Sequence, residues 1–318
     1  MSDENEVQII LDITNEKGLG WLPDLPDFRD YTSDDSAIAP ALAKATAPIT
    51  YGVAAGGSGS AAAAAAAAPA PTLAATADLR AWFSPIEDQG QLGSCTANAG
   101  VGLLEYFQRR AYNKYIDGSR LFLYKATRNL LHWTGDTGAY LRSTMKAMVF
   151  FGVPPEEYWP YRIADFDKEP AAFLYAFGAD YKTTKYYRLD PSATPKTVLL
   201  DRIKTNIAAG LPSMFGFTVY SSISQANQSG KIPFPTNGEA VRGGHAIDAV
   251  GYDDNLKIKN TNSGATETTG ALLIRNSWGT SWGQQGYGWM PYEYVLRGLA
   301  EDWWSLIDAN WIDTGNFA

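Results

Sequence analysis

The hydrophobic positions of this chain follow a helical period in its first half. After residue 95, small and apolar side chains recur at Ala97, Val101, Leu104, Phe107 and Ala111. A repeat of three to four residues places such side chains on one face of a helix. We therefore predict helices over residues 95–113, 119–131 and 139–151.

Beyond residue 181 the pattern changes to short apolar runs, which are typical of strands. We predict strands over residues 186–189, 212–219, 245–252, 271–276 and 286–291, with one helix at 194–209. The polar Asn/Thr/Gly-rich stretch 253–270 indicates a long surface loop. Helices first and antiparallel strands later favour an α+β fold, with a helical lobe and a β-sheet lobe.

The chain before residue 78 divides into two parts. Residues 1–51 contain a possible short strand at 7–13 and the apolar stretch GLGWLPDLPDFRDY at 18–31, stiffened by Pro23 and Pro26. This stretch is too apolar for a free tail, so we expect it to dock. It could be a strap on the back of the domain or a prosegment in a cleft, and the sequence leaves both open.

Residues 52–77 have the composition of a linker, and residues 78–318 form the main domain. The linker holds a Gly/Ser run, eight alanines at 61–68 and two closing prolines. Alanine favours helix, but so short a run does not hold one in water. An exposed low-complexity tract is also suited to proteolysis.

The amino-acid composition indicates a globular core and bears on which kinds of binding partner the chain can have. With 318 residues and 45% hydrophobic content, the chain has ample material for a core. A net charge of −8 argues against nucleic acid or an anionic membrane as the partner. No apolar run is long enough for a membrane span, and the acidic start lacks the features of a secretory signal, which favours the cytoplasm.

The only cysteine, Cys95, follows a Gly-Ser turn and falls in the first turn of a predicted helix. There the unpaired backbone N–H groups and the positive end of the helix dipole stabilise a thiolate. This stretch alone leaves two interpretations open. Cys95 is either a reactive nucleophile or a small buried hydrophobic side chain, as most free cysteines are.

Two later stretches favour the nucleophile. His245 follows two glycines at the head of a strand-like run, and Asn276 ends a second strand. Alone, a histidine is usually structural and an Asn-Ser pair usually marks a turn. Together with Cys95 they supply a nucleophile, a base and an amide that orients the base.

Over residues 78–308 the chain resembles the papain-like cysteine peptidases, and in particular their bacterial and phage-type members. The matching motifs are Gln89 six residues before the cysteine, Gly93-Ser94-Cys95, His245-Ala246 with Val250-Gly251-Tyr252, Asn276-Ser277-Trp278-Gly279, Trp282-Gly283 and Gly286-Tyr287. Two positions depart from the family pattern. Thr96 replaces the usual aromatic after the nucleophile, and Leu92 stands where many secreted members have a disulfide cysteine.

The resemblance implies a papain-like two-lobe fold with the active site in the cleft between the lobes. Cys95 would come from the helical lobe, and His245 and Asn276 from the antiparallel sheet. By resemblance, Gln89 supplies a donor to the oxyanion hole, and Trp278 shields the His–Asn hydrogen bond from water. The family's chemistry requires no metal and no organic cofactor.

The resemblance also indicates substrate-binding residues. Gly138 and Ala139 lie in a stretch similar to the family's loop that pairs with substrate backbone, although Gly138 could equally be a helix-entry turn. Gly244 would leave a pocket wall without a side chain, and Trp282 resembles the aromatic floor on the leaving-group side. We expect a roomy pocket with an uncharged rim that prefers bulky apolar or aromatic side chains.

These residues favour a cysteine endopeptidase that acts on proteins or peptides through an acyl-thioester. A peptide ligase or amidase on the same triad is the alternative, because amines as well as water capture acyl-thioesters. A non-enzymatic peptide-binding relative is a weaker third interpretation, since Cys95, His245, Asn276 and Gln89 are all present. We also hypothesise a zymogen, in which residues 19–31 cap the cleft in cis until the linker is cut.

Overall fold

The computed structural model describes residues 17–46, 73–183 and 185–317. The helices are α1 Ala39–Thr46, α2 Cys95–Tyr112, α3 Arg120–Leu130, α4 Leu141–Phe150, α5 Ala172–Gly178, α6 Lys196–Ala208, α7 Ala226–Ser229, α8 Glu293–Leu296 and α9 Ala309–Ile312. The strands are β1 Trp21–Leu22, β2 Thr76–Asp78, β3 Ala139–Tyr140, β4 Lys185–Arg188, β5 Ser213–Tyr220, β6 Val241–Lys259, β7 Glu267–Arg275, β8 Tyr287–Pro291 and β9 Ala300–Ile307. The predicted strand at 7–13 and most of the predicted linker lie outside the described residues.

Antiparallel strands form one lobe. The described strands include a seven-stranded sheet in the order β4-β9-β5-β6-β7-β8, with β2 also paired to β6. Strand β6 lies near the middle of this order, and its register places His245 opposite Phe217 on β5. The next strand, β7, runs antiparallel to β6 and ends at Arg275, immediately before Asn276. The sheet therefore brings the histidine and the asparagine to neighbouring positions.

Helices form the other lobe around α2. This helix is buried along most of its length because it packs against α3 and α4 on one side and β6 on the other. The approach to the sheet is close: a Cβ added at Gly102 would lie 2.6 Å from Nη1 of Arg275. The interior of α2 therefore carries small residues, and its first residue, Cys95, lies where the two lobes meet.

Most predicted elements are confirmed, including the α+β class and the two-lobe arrangement. The loop predicted at 253–270 is wrong, because β6 continues to Lys259 and pairs with β7 from Glu267 onward. Exposed and buried positions alternate there, with Ile258 buried, so the period of the burial pattern and not the polar composition sets the structure. Strand β9 and helix α1 are not predicted by the sequence analysis.

The start of the described chain docks only in part. Trp21 is buried, whereas Leu25 is 85% and Phe28 96% exposed. The expectation that all the large apolar residues of 18–31 pack on the domain is therefore wrong for the latter two. Two residues of the predicted linker, Thr76 and Ala77, belong to β2 and hence to the sheet.

Candidate active site

Cys95 lies at the first residue of α2 and is completely buried. Burial raises the pKa of its thiol to about 11, and the backbone N–H groups of Ala246, Gly20 and Thr96 at the sulfur act in the opposite direction. These three N–H groups come from the sheet, from the start of the chain and from α2. The thiol is thus at a point where both lobes and the chain's start converge.

His245 and Asn276 form the hydrogen-bonded pair that the sequence predicts. His245 Nε2 lies 2.8 Å from Asn276 Oδ1, and the same oxygen accepts the Ser277 backbone N–H at 2.8 Å. Because an N–H donates to it, this amide atom is the oxygen, so Nε2 of the imidazole carries the proton. The other ring nitrogen, Nδ1, has no hydrogen-bond partner among the described residues and is left as the basic atom.

Aromatic side chains enclose the imidazole. Trp278 stacks on His245 with ring centroids 4.6 Å apart, and Trp282 meets Trp278 edge-on at 5.7 Å. Burial lowers the pKa of His245 to about 4, and the hydrogen bond to Asn276 acts in the opposite direction. The indoles exclude water from the His–Asn hydrogen bond, which strengthens it.

The Gln89 side chain is fixed at both ends. Its Oε1 accepts the Ser277 hydroxyl at 2.6 Å, while its Nε2 donates to the backbone oxygens of Leu92 at 2.8 Å and Gly18 at 2.9 Å. The orientation of the amide therefore depends on Ser277, which the sequence analysis quotes only as part of the asparagine motif. The Gln89 amide therefore binds a peptide carbonyl from the start of the chain itself.

Asp136 and Tyr124 connect the turn before Cys95 to the loop at Gly138. Asp136 accepts the Gly93 N–H at 3.0 Å and the Tyr124 hydroxyl at 2.5 Å, and that hydroxyl accepts the Gly138 N–H at 3.0 Å. This cross-link lies beside Leu92, the position where many secreted relatives have a disulfide cysteine. Asp136 begins the stretch that resembles the substrate-pairing loop, but neither residue is given a role from the sequence, because neither belongs to a catalytic motif.

The start of the chain contacts Gln89 and the loop at Gly138. We call residues 17–22 the cleft segment. Besides the bond from Gln89 to Gly18, Ala139 N–H donates to the Gly20 oxygen at 2.8 Å, and β1 pairs in parallel with β3. A Cβ added at Gly138 would lie only 2.2 Å from the Gly20 oxygen, so the loop and the segment are in direct backbone contact.

The Trp21 side chain fills a pocket in the sheet lobe, beside Gly244 and Gly216. At its inner end the indole Nε1–H donates to Asp302 Oδ2 at 3.2 Å. Asp302 is buried and was not singled out in the sequence, where it is far from every motif. An aromatic side chain therefore lies beside Gly244, with a carboxyl group at its inner end.

Among the described residues, no group of three or more His, Cys, Asp or Glu side chains is arranged to hold a metal ion. Within residues 17–46, 73–183 and 185–317, none of the helices combines the length and the hydrophobicity needed to span a bilayer.

Replacing Asn276 by Ala is expected to lower kcat for peptide cleavage by about 10²-fold, the lower end of what general acid–base catalysis contributes. The nucleophile and base remain, but the imidazole loses the acceptor that fixes its orientation. The assay uses the chain cut at a protease site inserted between residues 52 and 72, which we call the linker-cut chain. Asn255→Ala, at an exposed asparagine on β6, is the control, and an unchanged kcat for Asn276→Ala would contradict the assignment.

Comparison with known proteins identifies similar sequences. Residues 73–302 match the family described as "Papain family cysteine protease". The chain is 35% identical over 227 residues to an uncharacterized peptidase C1-like protein of Acanthamoeba polyphaga mimivirus, covering 69% of this chain and 68% of that protein. It is 27% identical over 215 residues to cathepsin K of Gallus gallus, covering 65% of this chain but only 55% of that protein.

Solved structures show the same similarity. The cysteine protease xylellain from Xylella fastidiosa is 30% identical, with a TM-score of 0.68 and coverage of 92% of this chain and 96% of that one. Digestive procathepsin L 3 of Tenebrio molitor larval midgut shares the fold at 20% identity, with a TM-score of 0.57 over 75% of this chain and 71% of that one. Similarity to a viral and a bacterial protein confirms the expected resemblance to bacterial and phage-type members of the papain-like family.

Proposed function

The chain belongs to the papain family of cysteine proteases, and on that premise we propose that it is an endopeptidase held latent by its own cleft segment. Cys95 is the nucleophile, His245 the base, Asn276 the orienting amide, and Gln89 a donor to the oxyanion. The observation that carries the proposal is the bond from Gln89 Nε2 to the Gly18 oxygen at 2.9 Å. A side chain that already binds a peptide carbonyl beside the thiol is suited to bind a substrate carbonyl.

The reaction follows from these positions. His245 Nδ1 accepts the Cys95 thiol proton, and the sulfur attacks the substrate carbonyl carbon. The developing oxyanion is stabilised by the Gln89 amide and the Cys95 backbone N–H. When the C–N bond breaks, the imidazolium returns the proton to the leaving amine, and water then hydrolyses the acyl-thioester with His245 again as the base.

The cleft segment blocks this reaction in two ways. It occupies the Gln89 amide through Gly18, and it covers the thiol through the Gly20 N–H. With Cys95 and His245 both buried, the high pKa of the thiol and the low pKa of the imidazole keep both groups uncharged near neutral pH. A displaced segment would admit water and substrate and so favour the reactive thiolate.

The direction of the cleft segment explains why it is not a substrate. We assign the pocket at Gly244 to the second residue before the scissile bond, so a substrate runs from that pocket toward Cys95. The segment runs the opposite way, because Gly20 lies at Cys95 and the next residue, Trp21, fills the pocket. Its peptide groups are therefore reversed relative to those of a substrate, which protects them from attack.

Ion pairs hold the chain that follows the segment. Arg142 on α4 pairs with Asp24 and Asp30, each at 2.8 Å, and donates to the Leu25 oxygen at 2.6 Å. These bonds fix the chain on the catalytic domain immediately beyond Trp21. Tethering through the predicted linker keeps the local concentration of the segment high, at about millimolar for a short flexible linker and lower for a longer one.

Cleavage within residues 52–72, which are part of the predicted linker 52–77, is the proposed activating event. The remaining substrate-binding roles are those predicted from the sequence: Gly138, Ala139 and Gly244 on the side of the pocket, and Trp282 on the side of the leaving group. Trp278 supports the imidazole. Proteins or peptides are the proposed substrates.

Product analysis tests the proposed function. We expect the linker-cut chain to convert peptides into two hydrolysis fragments in water, and the uncut chain to do so far more slowly. Mass spectra are recorded with and without an added peptide amine. Ligated products as the main species would contradict a hydrolase, and no product from the linker-cut chain would contradict an enzyme.

A further inference from the structure

The pocket that holds Trp21 has the shape of an indole. Its walls lack side chains: a Cβ added at Gly216 would lie 1.8 Å from Cε2 of Trp21, and one added at Gly244 would lie 2.8 Å from its Cε3. The flat ring thus lies directly against the backbone of two neighbouring strands, β5 and β6. A side chain must be able to lie flat on this backbone to take the same place.

Asp302 at the inner end of this pocket has one oxygen committed to the protein. Oδ1 accepts the Trp304 indole N–H at 2.7 Å and lies 3.3 Å from Nη1 of Arg188. The other oxygen, Oδ2, accepts the Trp21 indole N–H at 3.2 Å. Among the described residues, Trp21 is the only hydrogen-bond donor to Oδ2, so this oxygen depends on the pocket's occupant.

We infer that Asp302 selects peptide substrates that place a tryptophan in this pocket, two residues before the scissile bond. The inference rests on the proposed function, because the pocket serves substrates only once the cleft segment has left. A phenylalanine or leucine would bury Oδ2 without a donor, and a buried polar atom that loses its partner is costly. A site built to hydrogen-bond its substrate rejects analogues that lack the bonding group.

The surroundings of Asp302 favour an indole over a cationic side chain. Arg188 is buried and pairs with Asp190 at 2.9 Å, and its guanidinium also lies 3.3 Å from Asp302. An arginine or lysine in the pocket would bring a second cation toward Arg188 and would lose its own hydration. The neutral N–H of an indole donates to Oδ2 without repulsion from Arg188 and without the loss of hydration that a charged group would suffer.

Matched substrates test the inference on the linker-cut chain. The peptides differ only at the pocket position, which holds tryptophan, 3-benzothienylalanine, phenylalanine or arginine. Benzothienylalanine keeps the indole's shape and replaces its N–H by sulfur, so the comparison isolates the hydrogen bond. We expect kcat/KM for the tryptophan peptide to exceed that for the benzothienylalanine peptide by about tenfold or more, because the buried Oδ2 is left without a donor.

The variant Asp302→Asn tests whether Asp302 is responsible. Its amide oxygen would stay with Trp304, whose indole N–H donates to that position, so its NH₂ group would face the pocket. We expect the ratio of tryptophan to benzothienylalanine to fall to about one, with the benzothienylalanine rate retained. Glu301→Gln is the matched control, because its carboxylate is 47% exposed on the same strand and should leave the ratio unchanged.

Three results would overturn the inference: equal rates for the two shape-matched peptides, faster cleavage of the arginine peptide, or an unchanged ratio in Asp302→Asn. If Asp302→Asn does not fold, the inference is tested by the ratio of kcat/KM for the tryptophan and benzothienylalanine peptides in the unsubstituted protein. If no peptide is cleaved although the linker is fully cut, the proposed function fails and the inference fails with it. Cleavage without discrimination contradicts only the inference.

Discussion

Cys95→Ala is expected to abolish peptide cleavage by the linker-cut chain and to leave the fold intact. The chain has no other thiol, so no second group can form the acyl-thioester. Removing the nucleophile of a catalytic triad costs about 10⁶ in kcat. Because only one buried sulfur is lost, the free energy of unfolding should change by no more than about 2 kcal/mol.

Initial rates on a fluorogenic peptide and denaturant unfolding measure these two quantities. The matched control is Thr96→Val, which has nearly the same volume and removes a buried hydroxyl that has no hydrogen-bond partner among the described residues. This control should retain activity, since the Thr96 backbone N–H remains. Turnover by Cys95→Ala at a rate comparable to the unsubstituted protein would rule out cysteine catalysis.

Gly20→Ala should activate the chain with its linker uncut. A Cβ at Gly20 would lie 2.0 Å from the Gly93 backbone oxygen, in the turn that leads into α2. That turn is held by Asp136, so the cleft segment is the part that must move. We expect the rate of the uncut chain to rise about tenfold or more, toward that of the linker-cut chain, because each 1.4 kcal/mol taken from the closed state is a tenfold change in its population.

The control for this prediction is Phe28→Ala, which removes a larger side chain a few residues away that is 96% exposed. It should leave the uncut chain latent. Gels run beside the assay establish that no processing has occurred. If the unsubstituted uncut chain is as active as the linker-cut chain from the first seconds, residues 17–22 are a structural strap and not an inhibitor.

The proposed catalytic residues could be selected from the sequence because each lies in a short local motif. A lone cysteine at a helix start, a histidine after two glycines and an asparagine before a tryptophan are visible without the fold. The helices were predictable for a similar reason, since their hydrophobic period is local. The residues that position these side chains could not be predicted in the same way, because they belong to no local motif.

Contacts between distant residues account for what the sequence did not predict. The bond between Trp21 and Asp302 joins positions 281 residues apart, and the bond between Ser277 and Gln89 spans 188. No local pattern marks such partners, because their geometry arises only when the sheet and the helices pack. The outer part of the hairpin formed by β6 and β7 was predicted as a loop for another reason. Its exposed face is polar, and this polar composition masked the alternation of buried and exposed residues that is typical of strands.

Intact-mass measurement of the reaction with a peptidyl epoxide tests whether Cys95 is a catalytic thiol that the chain's own cleft segment closes off. The uncut chain and the linker-cut chain are treated in parallel, and peptide cleavage is followed in the same samples. We predict that the uncut chain stays unmodified while the linker-cut chain gains one adduct, located on Cys95 by peptide mapping, at the rate at which activity is lost. Equal labelling of both chains, or loss of activity without an adduct on Cys95, would contradict the account.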